Sequence, residues 1–504
     1  MKNVHLAIPE DFTPVPSLNV HTALTAVATP TAEIGAVGYP VTPDGDLPAG
    51  FAGDWAGLTR HGFTGAAGQT FVVAQFGGAD QVLIGLGTPK SPTTPELTVA
   101  SLRNAVAALV RAVPSATKIA FDLGNHFDVP AQTAGTAIAE SAILARYAYT
   151  TLKTKSKHVE LSALEIVCSD PASVAEGFPA ARALARAATV ARDLANTPPG
   201  HLTASDMAEF AEKIGPDFGL EVAIADRAEL LALGCGGLLG VNAGSTQEPR
   251  MVTLKYVPAG EPTAHVALVG KGIMYDSGGI SLKPSDQMHL LMKLDMAGAG
   301  AILGAMTSLK DLGVTSSVTA FLMCTDNMPS GSAIKLGDVL TIRNGTTVEV
   351  KNTDAEGRLV MSDALCLAHE DSPDAIVDVA TLTGATLMAL GTSTAAAFGN
   401  DRDLMDQVIA ASNAVDEPAW QLPLDHSYRS QLDSDIADIS NMGGRFAGAT
   451  TAALFLHEFV GEIPWVHLDI AGTMNADTDN AWRSKGATGY GARLLADFLT
   501  TYRA

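Results

Sequence analysis

The chain has 504 residues, is 47% hydrophobic and carries a formal charge of −22. That length suits about two or three domains with large cores, and that charge disfavours nucleic acid and anionic membrane as partners. Cys168, Cys235, Cys324 and Cys366 lie far apart and form no CxxC pair, so buried reduced thiols are expected rather than a disulfide framework or thiolate zinc site.

The opening MKNVHLAIPEDF lacks the apolar core of a leader, and no run of about 18 apolar residues suggests a membrane span, so the expected location is cytoplasmic. Short apolar runs then alternate with helical patterns. Val82–Leu86 and Lys118–Leu123 read as strands, Leu97–Arg111 and Ala131–Tyr149 as helices, and His158–Cys168 as a further strand. Gly85-Leu86-Gly87 is followed by Thr-Pro-Lys, which is no dinucleotide loop. A boundary near 169–180 divides an N-terminal α/β domain, 1–172, from a larger domain, 173–504. An Ala/Arg-rich helix over Pro179–Ala195 stops at Asn196-Thr-Pro-Pro-Gly, and Thr203 is placed to cap a helix over Ala204–Ile214. Strands are expected at Leu220–Ala225, Met251–Val257, His265–Val269, Val318–Met323, Ala375–Val379 and Trp465–Asp469. Helical patterns between most of them point to a mixed, largely parallel sheet flanked by helices. Ligands of such sheets gather beyond the carboxyl ends of the strands.

Chemistry-bearing residues concentrate between Val269 and Leu359. VGKGIMYDSGGISLKPS sets Lys271, Asp276 and Lys283 in a Gly-rich loop after a buried strand. MKLDMAGAG places Asp295 at the start of an apolar helix-like stretch. KNTDAEGRL supplies Asp354, Glu356 and Arg358, which share one face if the segment is extended. Acids meeting in a buried pocket repel one another unless cations intervene. One divalent ion, or two about 3.5–4 Å apart, would relieve that repulsion. Carboxylates alone favour Mg or Mn over Zn, and no HExxH motif offers two histidines on one helix. These residues indicate a two-metal hydrolase without separating peptidase from phosphatase.

NTDAEGRL, Asn352–Leu359, resembles the signature of the leucyl aminopeptidase family. So do Val269–Ser285, Met292–Gly298, NMPSG at Asn327–Gly331, DVATLTGA at Asp378–Ala385, TAALFLHEFV at Thr451–Val460, HLDIAG at His467–Gly472 and GATGYGARLL at Gly486–Leu495. The resemblance covers essentially Ala191–Leu495 and is loose before it. It implies one metal site from Lys271, Asp276, Asp295 and Glu356, and another from Asp276, Glu356 and Asp354, the last through side chain and carbonyl. The family usually carries zinc and often accepts manganese. Lys283 and Arg358 take the catalytic roles, Lys283 at the developing oxyanion and Arg358 holding a bicarbonate base. Met292, Thr381, Gly384, Ala471 and Met474 match the pocket for the N-terminal side chain, Leu382 a backbone contact to substrate, and Asn352 a supporting residue. Tyr275, Ser277, Ala297, Gly300, Asp326 and Leu336 depart from the commoner residues, and none of them is a matched ligand.

The resemblance also implies a homohexamer acting on short peptides with a free N-terminus, with Leu, Met and other apolar residues preferred. Two other functions stand as alternatives. Gly391-Thr-Ser393-Thr-Ala395 nearly spells a serine-hydrolase elbow but ends in Ala. A secondary nucleic-acid-binding role, which some relatives add, is opposed by the negative charge.

Overall fold

The computed structural model describes residues 8–9, 12–88 and 97–504. Much of the opening stretch read for a leader, and Pro89 and Lys90 after the Gly85–Gly87 turn, lie outside the described residues. Contacts divide the chain into two compact units: residues 16–185 with 477–485, and residues 186–476 with 486–504 and the described residues up to Val15.

The smaller unit is built on a six-stranded sheet. Its order is Ala23–Val27, Ala163–Val167, Lys118–Asp122, Ala36–Val41, Asp80–Gly85 and Thr70–Val73, parallel except for the last, antiparallel strand. Leu102, Val106 and Leu109 form the fully buried face of the helix Val99–Ala112, as their spacing required. The helix Ala131–Arg146 packs beside it. The expected strand His158–Cys168 shortens to Ala163–Val167.

The larger unit holds an eight-stranded mixed sheet. Its order is Ala419–Gln421, Ala395–Gly399, Trp465–Asp469, Ala375–Ala380, His265–Asp276, Ser317–Asn327, Arg250–Tyr256 and Leu220–Ala225. The four central strands, Trp465–Asp469 to Ser317–Asn327, run parallel, so their carboxyl ends share one edge. They are apolar on both faces because helices cover both. The helix Ala204–Ile214 begins as expected, with Thr203 and Asp206 forming a reciprocal capping box. Cys235, Cys324 and Cys366 are buried free thiols, and burial pushes each up to about 12. Among the described residues no helix is long and apolar enough to cross a membrane.

Two local differences from the sequence expectation shape the site. The strand starting at His265 does not stop at Val269 but continues to Asp276, so Lys271 and Asp276 stand on a strand rather than a loop. Its pairing with Ser317–Asn327 slips by one residue after Ile273: Ile273 faces Thr325, while Tyr275 faces Asp326. Side chains alternate along a strand, so residues five apart would point to opposite faces. The extra residue restores them to one side. The second difference is at KNTDAEGRL, which is not extended. Asn352–Glu356 form a turn that feeds the helix Gly357–Glu370.

That helix is anchored by Asp363, which is fully buried. Its two oxygens accept the N–H groups of Leu238, at 2.8 Å, and Arg343, at 3.1 Å. Burial raises its pKa to about 7 despite these donors. Asp363→Ala leaves both donors buried without a partner, and we expect a loss of about 2–4 kcal/mol. Urea unfolding checks it: the midpoint should fall while the slope with denaturant stays constant.

Candidate metal centre

At the carboxyl edge of the four parallel strands, four carboxylates and two lysines converge. The Lys271 ammonium lies 2.8 Å from Asp295 Oδ1 and 2.9 Å from Glu356 Oε1, and donates to the Thr381 carbonyl at 2.7 Å. All three charged side chains are almost wholly buried. Burial alone would lower the Lys271 pKa. The charges of Asp295 and Glu356 outweigh it and hold the pKa above its ordinary value. Lys283 sits 2.8 Å from Asp276 Oδ2 and 2.6 Å from Asp354 Oδ1, and these partners likewise raise its pKa against the effect of burial.

The acids respond unequally. Burial, reinforced by Glu356, pushes Asp276 up to about 6. Burial also holds Asp295 well above the usual carboxylate range, against the pull of Lys271. Glu356 meets the same burial penalty, but the charges of Lys271 and Lys283 overcome it and lower its pKa. Four carboxylates against two ammoniums leave negative charge uncompensated in a largely buried site.

Backbone and amide contacts fix this geometry. Asn327 donates from Nδ2 to Asp276 Oδ1 at 2.8 Å and to the Thr353 carbonyl at 2.9 Å, tying the strand end to the turn that carries Asp354. Asn441 spans that turn, accepting from Lys351 N and donating to the carbonyls of Asn352 and Ala355. Asn352 supports it from within, its Oδ1 accepting from Asp354 N at 2.8 Å. Ser277, one of the departures from the family's commoner residues, donates its hydroxyl to the Asn327 carbonyl at 2.7 Å. Gly278, at φ +87°, makes the turn beyond Asp276; a Cβ there would meet Ser281 O at 2.5 Å and Asp354 Oδ1 at 2.8 Å.

The residues fit a divalent cation on two counts. Asp276, Asp354 and Glu356 each offer an oxygen, and these oxygens lie within 4.8 Å of one another. Asp295 Oδ2 is buried with no hydrogen-bond partner among the described residues, a costly state that a cation would relieve. Arg358 lies in the first turn of the following helix and is 6% exposed. Burial pulls its pKa down to about 10, and its Nε is buried without a hydrogen-bond partner among the described residues, which suits an anion.

Thr381, Leu382 and Gly384 follow the strand Ala375–Ala380, and Ala471 and Met474 follow Trp465–Asp469, all beyond the same sheet edge. Met292 lies in the short 3-10 turn before Asp295; it and Met474 are nearly buried, and Gly384 is exposed. Thr381 does more than line a pocket, because its hydroxyl donates to Asp295 Oδ1 at 2.7 Å. Sequence reasoning did not single out Asn327, Asn441 or Asp469. Asn327 and Asp469 stood in quoted motifs as polar residues ending apolar strands, whereas nothing around Asn441 signalled its role. The serine alternative gains no support: Ser393 is exposed, while His467 and its partner Asp378 are buried.

The model of the cytosol aminopeptidase family's catalytic domain matches residues 189–496, and that of its N-terminal domain matches 55–156. A probable cytosol aminopeptidase of Solibacter usitatus is 42% identical over 408 residues, covering 80% of this chain and 84% of the relative. One from Streptomyces avermitilis is 41% identical over 478 residues, 92% of each chain. Among solved structures, a bottromycin maturation enzyme in complex with Mn superposes with a TM-score of 0.83 at 38% identity, covering 93% of this chain and 99% of its own. A mutant of tomato leucine aminopeptidase gives 0.85 at 31%, covering 96% and 97%.

Gly357 offers a direct test of how tightly the centre is packed. A Cβ at this residue would lie 2.6–2.8 Å from the Lys271 side chain. Gly357→Ala should therefore displace Lys271 from Asp295 and Glu356 and cost about 1–3 kcal/mol of stability. Thermal unfolding and a crystal structure of the variant check both effects.

Proposed function

This chain belongs to the cytosol aminopeptidase family, and we propose that its buried acidic cluster holds two divalent ions, Mn or Zn, with which it removes N-terminal residues from short peptides. The enzyme is a metallo-aminopeptidase; what is proposed is the division of labour among its residues. Asp276 and Glu356 would bridge the two ions, Lys271 and Asp295 would complete one site, and Asp354 the other. The observation that carries this reading is the convergence of four carboxylates and two lysines in a largely buried pocket, with an Asp295 oxygen that has no hydrogen-bond partner among the described residues. Lys271 must lose its proton to act as a ligand, so binding there would release a proton. Bound ions supply Lewis-acid polarisation of the scissile carbonyl and a water acidic enough to attack near neutral pH.

The chain's own groups do the rest. Lys283 is only partly buried and stands between Asp276 and Asp354, where its ammonium can donate to the oxygen that becomes negative as the carbonyl is attacked. Arg358 would anchor a bicarbonate serving as general base. Thr381, Gly384, Ala471, Met292 and Met474 would receive the first side chain, and Leu382 would contact the substrate through its backbone. No charged group belongs to that set, so Leu and Met are preferred over Asp, Glu or Gly, each buried methylene adding on the order of 1 kcal/mol, about fivefold. We further propose a cytoplasmic homohexamer, which sedimentation velocity would check.

Asp276→Ala or Glu356→Ala removes a bridging ligand, and either variant should lose bound metal and turnover together; normal metal content with normal turnover would contradict the two-metal assignment. Lys283→Ala should lower kcat by about 10²–10³ with metal content unchanged. Metal loss instead would make Lys283 a ligand or a structural group. The exopeptidase reading is tested with Leu-amide, N-acetyl-Leu-amide and Asp-amide under one metal condition. Only a free amine offers a lone pair to the centre, so the acetylated compound should resist hydrolysis. Its hydrolysis at a comparable rate overturns the reading, and a preference for Asp-amide overturns the pocket alone.

A further inference from the structure

Asp469 ends the strand Trp465–Asp469 with a fully buried carboxylate, and among the described residues five hydrogen-bond donors reach it from the two segments beside the pocket. Its Oδ1 accepts from the backbone N–H groups of Leu382 at 3.1 Å, Thr383 at 3.3 Å and Ala471 at 3.2 Å. Its Oδ2 accepts from the hydroxyls of Thr383 at 2.6 Å and Thr386 at 2.7 Å. Thr383 also caps the helix Gly384–Leu390, its hydroxyl accepting from Thr386 N. A buried carboxylate is stable only with such a set of donors, and bonds to an ionised acceptor are the strong ones.

We infer that Asp469 is a positioning residue for substrate selection, holding the two segments that would wall the pocket, the exit loop and first helical turn over Leu382–Thr386 and the turn at Ala471, in one arrangement. Those segments follow neighbouring parallel strands that pair Ala380 with Asp469. The carboxylate bridges the two strand ends just where each chain leaves the sheet. The metal side has contacts of its own: Thr381 is fastened to Lys271 through its carbonyl and to Asp295 through its hydroxyl, and the Thr381–Leu382 peptide is where these contacts meet those of Asp469. Asp469 takes part in neither contact. The inference rests on the pocket reading above, and its distinctive consequence is that removing Asp469 changes which side chain is accepted without removing metal.

Asp469→Ala leaves five donors without their acceptor and lets both segments drift, and displacements on the order of 1 Å are costly to rate. Asp469→Asn keeps one oxygen and the shape but weakens the bonds, and it serves if the Ala variant does not fold. The measurements are metal content and kcat/KM for Leu-amide and Gly-amide on parent, both Asp469 variants and Met474→Ala. The expected result is metal content equal to the parent, with the Leu-to-Gly ratio falling about tenfold in Asp469→Ala and about threefold in Asp469→Asn. An unchanged ratio, or metal loss that accounts for the lost activity, overturns the inference. If the ratio moves in Met474→Ala but not in the Asp469 variants, the positioning role fails and the pocket stands. If it moves in none of them, the pocket reading fails as well.

Discussion

Burying carboxylates beside one another is the constraint around which the larger unit is organised. Asp276, Asp295, Asp354 and Glu356 would each be more stable in water. The chain brings them together nonetheless and sets an ammonium between each pair: Lys271 between Asp295 and Glu356, Lys283 between Asp276 and Asp354. Compensation is incomplete, as the raised pKa values of Asp276 and Asp295 register. A group that burial strains in this way belongs to a functional site more readily than to a structural one. The family to which the chain belongs is metal-dependent, which gives the strain its purpose.

The fold delivers the groups through three devices. Parallel central strands bring several chain exits to one edge. A one-residue slip in the strand His265–Asp276 turns Lys271 and Asp276 to the same side. The turn at Asn352–Glu356 then runs directly into a buried helix, so that Glu356 and Arg358 are fixed by its first turn. Asn327, Asn441 and Asp469 fasten these exits to one another across long stretches of sequence. Each is a short polar side chain whose hydrogen bonds go to backbone, to a charged partner or, for Asp469, also to Thr hydroxyls. Such networks define a single arrangement when every member is satisfied.

Much of this was legible in the sequence. The strands Leu220–Ala225 and Trp465–Asp469 and the helix Ala204–Ile214 appear with the limits their patterns gave, because apolar runs and a Thr cap are local signals. The charged residues that cluster were all readable, since acids and lysines set among glycines after apolar strands are rare. Lys271 and Asp276 were misplaced onto a loop because the segment is rich in glycine, whereas pairing with Ser317–Asn327 keeps the strand going beyond Gly270, where its other partner stops. The extended reading of KNTDAEGRL failed for a related reason: alternation of polar residues cannot reveal a turn closed by Asn441, about 90 residues away. Long-range polar contacts of this kind leave no periodic trace.

The account makes metal binding and catalysis properties of one cluster, and a single titration examines that most directly. Metal-free protein is loaded stepwise with Mn, and bound ions per chain are counted by equilibrium dialysis while Leu-amide hydrolysis is followed on the same samples. The account predicts no hydrolysis without metal and saturation at two ions per chain, with activity complete only when both are bound. Full turnover in the metal-free protein, or saturation at two ions with no gain in activity, would contradict it.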